Sequence, residues 1–278
     1  MKHEILVIGG GPAGLSAAIN ARARGKSVLV VSNPVEENPL WRAETVENYP
    51  GLPGVTGAEL LTAFRTHAEK AGAELLAGKA LNAAYYPGSW FVSVGSDVQE
   101  AEAVILAAGV ARGKKYPGEE RLLGSGVSYC ATCDGMLYRN RRVAVLGWTD
   151  SARQEADYLS SIGCHVTYVD KPRSCEILGE GTVSGVICDG RELAAEGVFL
   201  LRPSVAPAEL FPGLDVENGY VRIQRDGATN LPGLFAAGDC TGGPLQVAKA
   251  VGEGLLAGQG AARWLDRQRQ KKSELEKP

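Results

Sequence analysis

The chain opens with a strand, a glycine turn and a helix, a succession that leaves few folds open. Ile5-Leu6-Val7-Ile8 is a continuous apolar run suited to a buried parallel strand. Gly9-Gly10-Gly11-Pro12-Ala13-Gly14 follows at once in a G-x-G-x-x-G pattern. Leu15 to Arg24 is Ala-rich and helical, Gly25 ends it, and Ser27 to Val31 reads as the next strand. In such a βαβ unit Gly9 makes the tight turn, Gly11 lets backbone approach a pyrophosphate, and Gly14 lets helix pack on strand. The helix N-terminus presents free N–H groups and a positive dipole end to the phosphates. Gly9, Gly11, Pro12, Ala13 and Gly14 thus read as a dinucleotide site.

The acidic residue that would hold an NAD ribose at the end of the second strand is missing; Ser32 and Asn33 stand there. FAD tolerates this better, since polar side chains and loop backbone can hold its adenosine ribose. Residues 33–57 read as loop, with Pro34, Pro39, Pro50 and Pro53, and a helix follows from about Ala58 to Ala71. Trp90 to Val94 belongs to a small antiparallel meander, and Ala103 to Ala107 is another buried strand ahead of Gly109. A second βαβ pattern begins at Arg142: strand Val143 to Leu146, helix Ser151 to Ile162, strand His165 to Val169. After Asp226 the first domain's pattern returns, with Gly233 to Asp239 and a helix from about Gln246. The expected fold is α/β, with two Rossmann-like, three-layer ββα nucleotide-binding domains. The FAD domain, 1–114 and 206–278, is split around a shortened inserted redox domain, 115–205.

Cys130-Ala131-Thr132-Cys133-Asp134 carries the second chemistry. Two cysteines three apart near a helix start can form a disulfide and exchange it through a low-pKa thiolate. Asp134 is placed to protonate a departing thiolate. The rival reading is half of a zinc site. It finds no matching second pair among Cys164, Cys175, Cys188, Cys240 and the three histidines, and those four cysteines read as buried small hydrophobes.

Ser128-Tyr129-Cys130-Ala131-Thr132-Cys133-Asp134-Gly135 resembles the active-site segment of low-molecular-weight thioredoxin reductases. Glu47 to Gly51, Ala107 to Val110, Pro117 to Glu119 and Gly233 to Cys240 match the same family's pattern. The resemblance covers nearly the whole chain and implies a homodimeric, FAD-dependent disulfide reductase. By that resemblance Cys133 would face the flavin and Cys130 would exchange with the partner disulfide. Asn48, Ala108 and Gly109, Gly238 and Asp239, and Gln246, Val247 and Ala248 would line the cofactor.

The second βαβ unit departs from the family. Where an NADPH-binding member carries G-x-G-x-x-A or G, this chain reads Gly147-Trp148-Thr149-Asp150-Ser151-Ala152. Thr149 blocks the position of closest approach, and Asp150 would repel phosphate. The second strand ends in Asp170-Lys171-Pro172-Arg173 without paired arginines for a 2′-phosphate, although Asp170 would in principle suit NADH. From Tyr168 the chain passes quickly through Gly179, Gly181 and Gly185 to Val198-Phe199-Leu200-Leu201, so about one crossover helix and one strand of the usual insert are expected to be absent. These departures resemble the NADPH-independent branch of the family, the ferredoxin-dependent flavin thioredoxin reductases and related flavin-linked disulfide oxidoreductases. Ferredoxin or a similar one-electron carrier would then be the donor and a thioredoxin-like disulfide protein the acceptor. Trp148 would fill the vacated cleft, stack on a second flavin or cover the first. Three alternatives stay open: an NAD(P)H donor despite the altered loop, a peroxiredoxin-type acceptor, and a flavin redox sensor without turnover.

Composition closes off other classes. A net charge of −3 from 29 basic and 32 acidic residues advertises no nucleic-acid surface. The charged stretch Arg263 to Lys277 reads as a fraying terminal helix. Met1-Lys2-His3-Glu4 runs straight into the first strand with no signal-type region, and no apolar run is long enough to span a bilayer. With six cysteines, this predicts a reducing, cytoplasmic setting.

Overall fold

The computed structural model describes residues 2–110, 115–129, 131–148, 151–202 and 205–275, apart from the side chains of Cys133 and Ser151. The chain divides into two compact units, one from residues 1–111 with 206–278, the other from 112–205.

In the first unit β1 (Lys2–Ile8) leads into α1 (Pro12–Arg22) and β2 (Val28–Ser32). Helix α1 starts earlier than its Ala-rich pattern, because Pro12 supplies a pre-set φ at the first helical position and Gly11 caps it. A loop then reaches α2 (Gly57–Lys70), whose start is fixed by a reciprocal capping box between Thr56 and Glu59. Strands β3 (Glu74–Ala77), β4 (Ala80–Tyr86), β5 (Ser89–Val94) and β6 (Asp97–Leu106) complete the N-terminal segment. The sheet runs β3-β2-β1-β6-β5-β4, parallel from β3 to β6 and antiparallel through the β6-β5-β4 meander. Ile5, Leu6, Val7 and Ile8 are all buried, as a central strand covered on both faces requires.

The second unit contains α3 (Glu119–Leu122), β7 (Val127–Ser128), α4 (Ala131–Asp134), β8 (Arg142–Gly147), α5 (Ser151–Ser161) and β9 (His165–Asp170). An antiparallel ribbon of β10 (Cys175–Leu178), β11 (Gly185–Cys188) and β12 (Arg191–Ala194) follows, then β13 (Gly197–Leu201). The main sheet is parallel, in the order β7-β13-β8-β9. Side chains alternate across it. Ala144, Leu146, Val198 and Leu200 pack with Ile177, Val186 and Cys188 of the ribbon, whereas Val143, Val145, Phe199 and Leu201 pack with Ala152, Ala156 and Leu159 of α5. Ribbon, sheet and helix therefore make three layers. The ribbon's strands were not expected in an insert read as short of a crossover helix and a strand, and Gly185 begins β11 close against Leu193.

The chain then returns to the first unit with α6 (Pro207–Leu210) and the β14 (Val216–Glu217), β15 (Tyr220–Val221) hairpin. Strand β16 (Leu234–Ala236) adds to the C-terminal half of β6 in parallel, and α7 (Val247–Leu275) packs along α1. A Cβ on Gly254 would strike the Ala13 carbonyl oxygen, and one on Gly258 that of Ala17, so the two glycines set how closely the helices approach. The Ser16 hydroxyl donates to the Val251 carbonyl at 2.8 Å across that contact. The charged end of α7 is helical through Leu275 rather than frayed. Asp266 pairs with buried Lys26, and Arg269 donates to Glu4 at 2.6 Å. Among the described residues no helix is long and apolar enough to cross a membrane.

Candidate active site

Four parallel strands of the first unit end in one row. Ile8 stands in register with Val31 on one side and Leu106 on the other, and Ala236 with Leu106. The turns after β1, β2, β6 and β16 therefore leave along one carboxyl edge, where open α/β sheets bind ligands. That edge gathers Gly9 to Gly14, Ser32 and Asn33, Ala108 and Gly109, and Gly238 and Asp239.

The glycines do different work there. Gly9 has φ +114°, and a Cβ on it would collide with the Ala107 carbonyl oxygen. A Cβ on Gly14 would collide with the carbonyl oxygen of Gly9, and one on Gly238 would lie 2.7 Å from Ala13 Cβ. At Gly11 the added carbon would meet Asn38 Nδ2 at 3.1 Å and nothing else nearby, so its outer side is clear for a ligand. Gly11 caps α1 in extended conformation with no side-chain hydrogen bond to the helix end, and the first turn holds no acidic residue. An uncapped N-terminus free of carboxylates suits a pyrophosphate, and these residues fit FAD.

Sequence reasoning missed the supports of this edge. Asn33 Nδ2 donates to Glu37 Oε2 at 3.2 Å, so the short 3₁₀ turn Val35–Glu37 returns a carboxylate to the end of β2. The Gly238 N–H donates to Glu253 at 2.8 Å, while Lys249 donates to the carbonyl oxygens of Gly238 and Gly242 at 2.8 and 2.6 Å. Lys249 and Glu253 are themselves ion-paired at 3.0 Å, one turn apart on α7. Their four-residue spacing was the signal available. Asp239 opens the 3₁₀ turn that this pair anchors, and beneath it the Cys240 thiol is buried and pushed up to about 12. Asn48, Gln246 and Ala248 lie on exposed segments outside that packed turn: Asn48 in the loop closed by the Val46–Val55 bridge, the other two at the start of α7. Val247 is half-buried.

In the second unit Cys130 lies outside the described residues, as do Thr149 and Asp150, and Cys133 is described by its backbone in α4. Around that segment the Ser128 hydroxyl donates to Asp134 Oδ2 at 2.7 Å, which orients the carboxylate. The Ala131 N–H donates to Glu155 of α5 at 3.3 Å, a second carboxylate that sequence reasoning passed over. Met136 and Leu137, immediately behind, are 57% and 69% exposed.

Aromatic rings pack at the end of β8, around Gly147 and Trp148. Tyr168 Oη lies 2.5 Å from where a Gly147 Cβ would stand. Trp148 stacks on Tyr116, ring centres 5.9 Å apart and planes within 23°, and the Arg202 guanidinium lies 5.3 and 5.4 Å from the two rings. Arg202 forks onto Glu119, which is fully buried, with one arm at 2.8 Å, and the Tyr129 hydroxyl donates to the same carboxylate at 3.0 Å. Burial alone would raise the Glu119 carboxyl, but hydrogen bonds from Arg202 and the Tyr116 amide outweigh it and hold the group below its ordinary value. Asp170, at the end of β9, accepts a long hydrogen bond from Tyr168, 3.4 Å.

The profile of the pyridine nucleotide-disulphide oxidoreductase family matches residues 3–181 and 175–254. A thioredoxin reductase of Listeria innocua is 33% identical over 95% of this chain and 94% of its own. Among solved structures, a ferredoxin-flavin thioredoxin reductase from Clostridium acetobutylicum superposes with a TM-score of 0.92 at 35% identity, covering 97% of this chain and 99% of that one. A thioredoxin reductase from Gloeobacter violaceus superposes with a TM-score of 0.84 at 28% identity, over 96% and 95%.

Proposed function

We propose an electron route for a chain that belongs to the pyridine nucleotide-disulphide oxidoreductase family. It is a flavin-dependent disulfide reductase of the thioredoxin-reductase type, and its cofactor is FAD. In this reading the unit of residues 1–114 and 206–278 holds the FAD, and residues 115–205 carry the redox pair Cys130–Cys133. The donor is a reduced ferredoxin or a similar one-electron carrier. The acceptor is the disulfide of a thioredoxin-like protein. Two reduced carriers and two protons convert that disulfide to two thiols. The setting is the cytoplasm, and the working form is a homodimer, as in the sequence expectation.

The single observation that carries the donor assignment is the aromatic packing at Gly147 and Trp148, at the end of β8. A nucleotide-binding loop needs open backbone at that point, and the rings of Trp148, Tyr116 and Tyr168 with Arg202 stand around it. The β10–β12 ribbon runs where the shortened insert was expected to lack a crossover helix. The ferredoxin-flavin enzyme of Clostridium acetobutylicum, similar over nearly the full length of both chains, supports the same donor class.

FAD, when bound, supplies a carrier able to accept single electrons and pass on a pair. The chain's own part begins at the pyrophosphate, held at the α1 N-terminus by backbone beside Gly9, Gly11, Pro12, Ala13 and Gly14. Ser32 and Asn33 with Glu37 hold the adenosine end. Asp239 is fixed through Gly238 by Lys249 and Glu253 toward the ribityl region. Ala108 and Gly109 bring backbone in from β6, and Asn48, Gln246, Val247 and Ala248 complete the wall. At the reduced pair, the Cys130 thiolate attacks the acceptor disulfide and Cys133 resolves the mixed disulfide. Asp134, oriented by Ser128, gives a proton to the departing thiolate. Exposed Met136 and Leu137 offer the acceptor an apolar contact beside that pair.

Anaerobic titration tests the donor. Reduced ferredoxin is expected to bleach the flavin absorbance within turnover time, with NADPH and NADH leaving it unchanged. Bleaching by NADPH at that rate would assign the chain to the pyridine-nucleotide-linked reductases. Cys130→Ser is expected to leave a yellow protein with no thioredoxin reduction, and undiminished turnover would remove the disulfide relay from the proposal.

A further inference from the structure

The ribbon of the second unit brings together two cysteines that are thirteen residues apart in the chain. Cys175 of β10 and Cys188 of β11 are direct cross-strand partners, with their Sγ atoms 3.0 Å apart. Residues directly opposite on an antiparallel pair hold their Cβ atoms about 4.5–5.5 Å apart, close to the roughly 3.5–4.5 Å that a disulfide spans. Closing an S–S bond of about 2.05 Å thus needs a movement of about 1 Å in a short ribbon. The flanking pair is already fixed, since Asp189 N–H donates to the Ser174 carbonyl at 3.0 Å and the Asp189 carboxylate accepts from the Ser174 amide at 2.9 Å. We propose that Cys175 and Cys188 form a second redox-active dithiol, separate from Cys130–Cys133, that closes to a disulfide by exchange with a small-molecule disulfide.

The two sulfurs are not equivalent. The two thiols share one hydrogen bond at 3.0 Å, which holds Cys188 below the ordinary thiol range and pushes Cys175 well above it. Cys188 is therefore the attacking thiolate. It displaces one thiolate from the small disulfide RSSR and forms a mixed disulfide with the other half. The Cys175 proton passes to the departing RS⁻, and the Cys175 sulfur then attacks Cys188 Sγ and releases the second RS⁻, which takes up the proton freed when Cys188 ionised. Two electrons leave the cysteine pair and reduce RSSR to two RSH. Both residues are buried, at 7% and 4% exposure, so the reaction runs through opening of the ribbon and is slower than at an exposed thiol. Cys175 lies in the cluster against which Tyr116 and Trp148 pack, which places the new bond beside those rings.

Trypsin cleavage after Arg173 and Arg191 isolates both cysteines in one peptide, Ser174 to Arg191. The FAD-loaded protein is incubated with oxidised glutathione, quenched in acid, denatured, alkylated and digested. The expected product is that peptide with no alkyl group and two hydrogens fewer than the dithiol form; prior reduction should restore two alkyl groups. In Cys175→Ser the same treatment should leave Cys188 carrying one glutathione, because nothing resolves the mixed disulfide. Two alkyl groups on the wild-type peptide, under conditions that fully oxidise the Cys130–Cys133 peptide, would overturn the proposal. So would a wild-type peptide arrested as a glutathione adduct.

Discussion

Glu119 carries a carboxylate that the second unit buries completely. Its carboxylate has no solvent exposure and is answered by the Arg202 fork, the Tyr129 hydroxyl and the Tyr116 amide. Removing one partner of a buried pair leaves the other charge uncompensated, at a cost of about 3–5 kcal/mol. Glu119→Gln is expected to destabilise the second unit by about 3 kcal/mol near neutral pH, measured by urea unfolding. The pH dependence has a definite sign. Because the folded carboxyl sits below its unfolded value of about 4.3, its contribution is complete above that value and is lost as pH falls through the folded one. The gap between parent and variant should therefore narrow as the pH is lowered from about 5 toward about 3. A gap that stayed constant would mean that the carboxylate is not the stabilising form.

The helices of the first unit depend on absent side chains. Gly254 and Gly258 let α7 approach α1 until a Cβ at either position would strike a carbonyl oxygen. Backbone cannot yield as a flexible side chain can, so Gly258→Leu should push the helices apart and cost at least the 1–3 kcal/mol typical of overpacking. The Lys249–Glu253 clamp on Gly238 rides on the same helix, so the variant should also release FAD more readily, seen as flavin lost on gel filtration. A variant that keeps its FAD and its melting temperature would remove α7 from the cofactor argument. This contact also shows what the sequence could and could not reveal. The β1 run, the G-x-G-x-x-G turn and the second βαβ unit were legible because periodicity and glycine spacing are local. The four-residue strands β10 to β12 were not, because glycines interrupt the stretch and its pattern is too short to have a period. The pairing of Cys175 with Cys188 depends on that ribbon's register, and so was invisible with it. The Asn33–Glu37 and Gly238–Glu253 contacts were hidden for a related reason: each rests on a turn geometry that no single residue announces.

At the scale of the whole chain, each unit has its own buried core. Ile5, Val7, Val30, Ile105 and Phe235 centre one, while Leu146, Leu200, Val145 and Phe199 centre the two faces of the other. The first core is assembled from segments on both sides of residues 112–205, since β16 and α7 must return to complete the sheet that β1 and β6 begin. FAD bound at the carboxyl edge of that sheet should therefore hold the two segments together and leave the second core untouched. Starting from apoprotein, FAD at about 100 times its Kd should add about 2.7 kcal/mol to the first unit, a rise of about 5–10 °C in its melting temperature. Calorimetry should then show two transitions, of which one moves. Tryptophan identifies them, because Trp41, Trp90 and Trp264 belong to the first unit and Trp148 to the second. With fluorinated tryptophan, the Trp148 resonance should melt at the same temperature with and without FAD while the other three shift upward together. Movement of all four as one would mean that the units unfold as a single cooperative body. FAD binding would then stabilise the Glu119–Arg202 cluster as strongly as the glycine cradle it contacts.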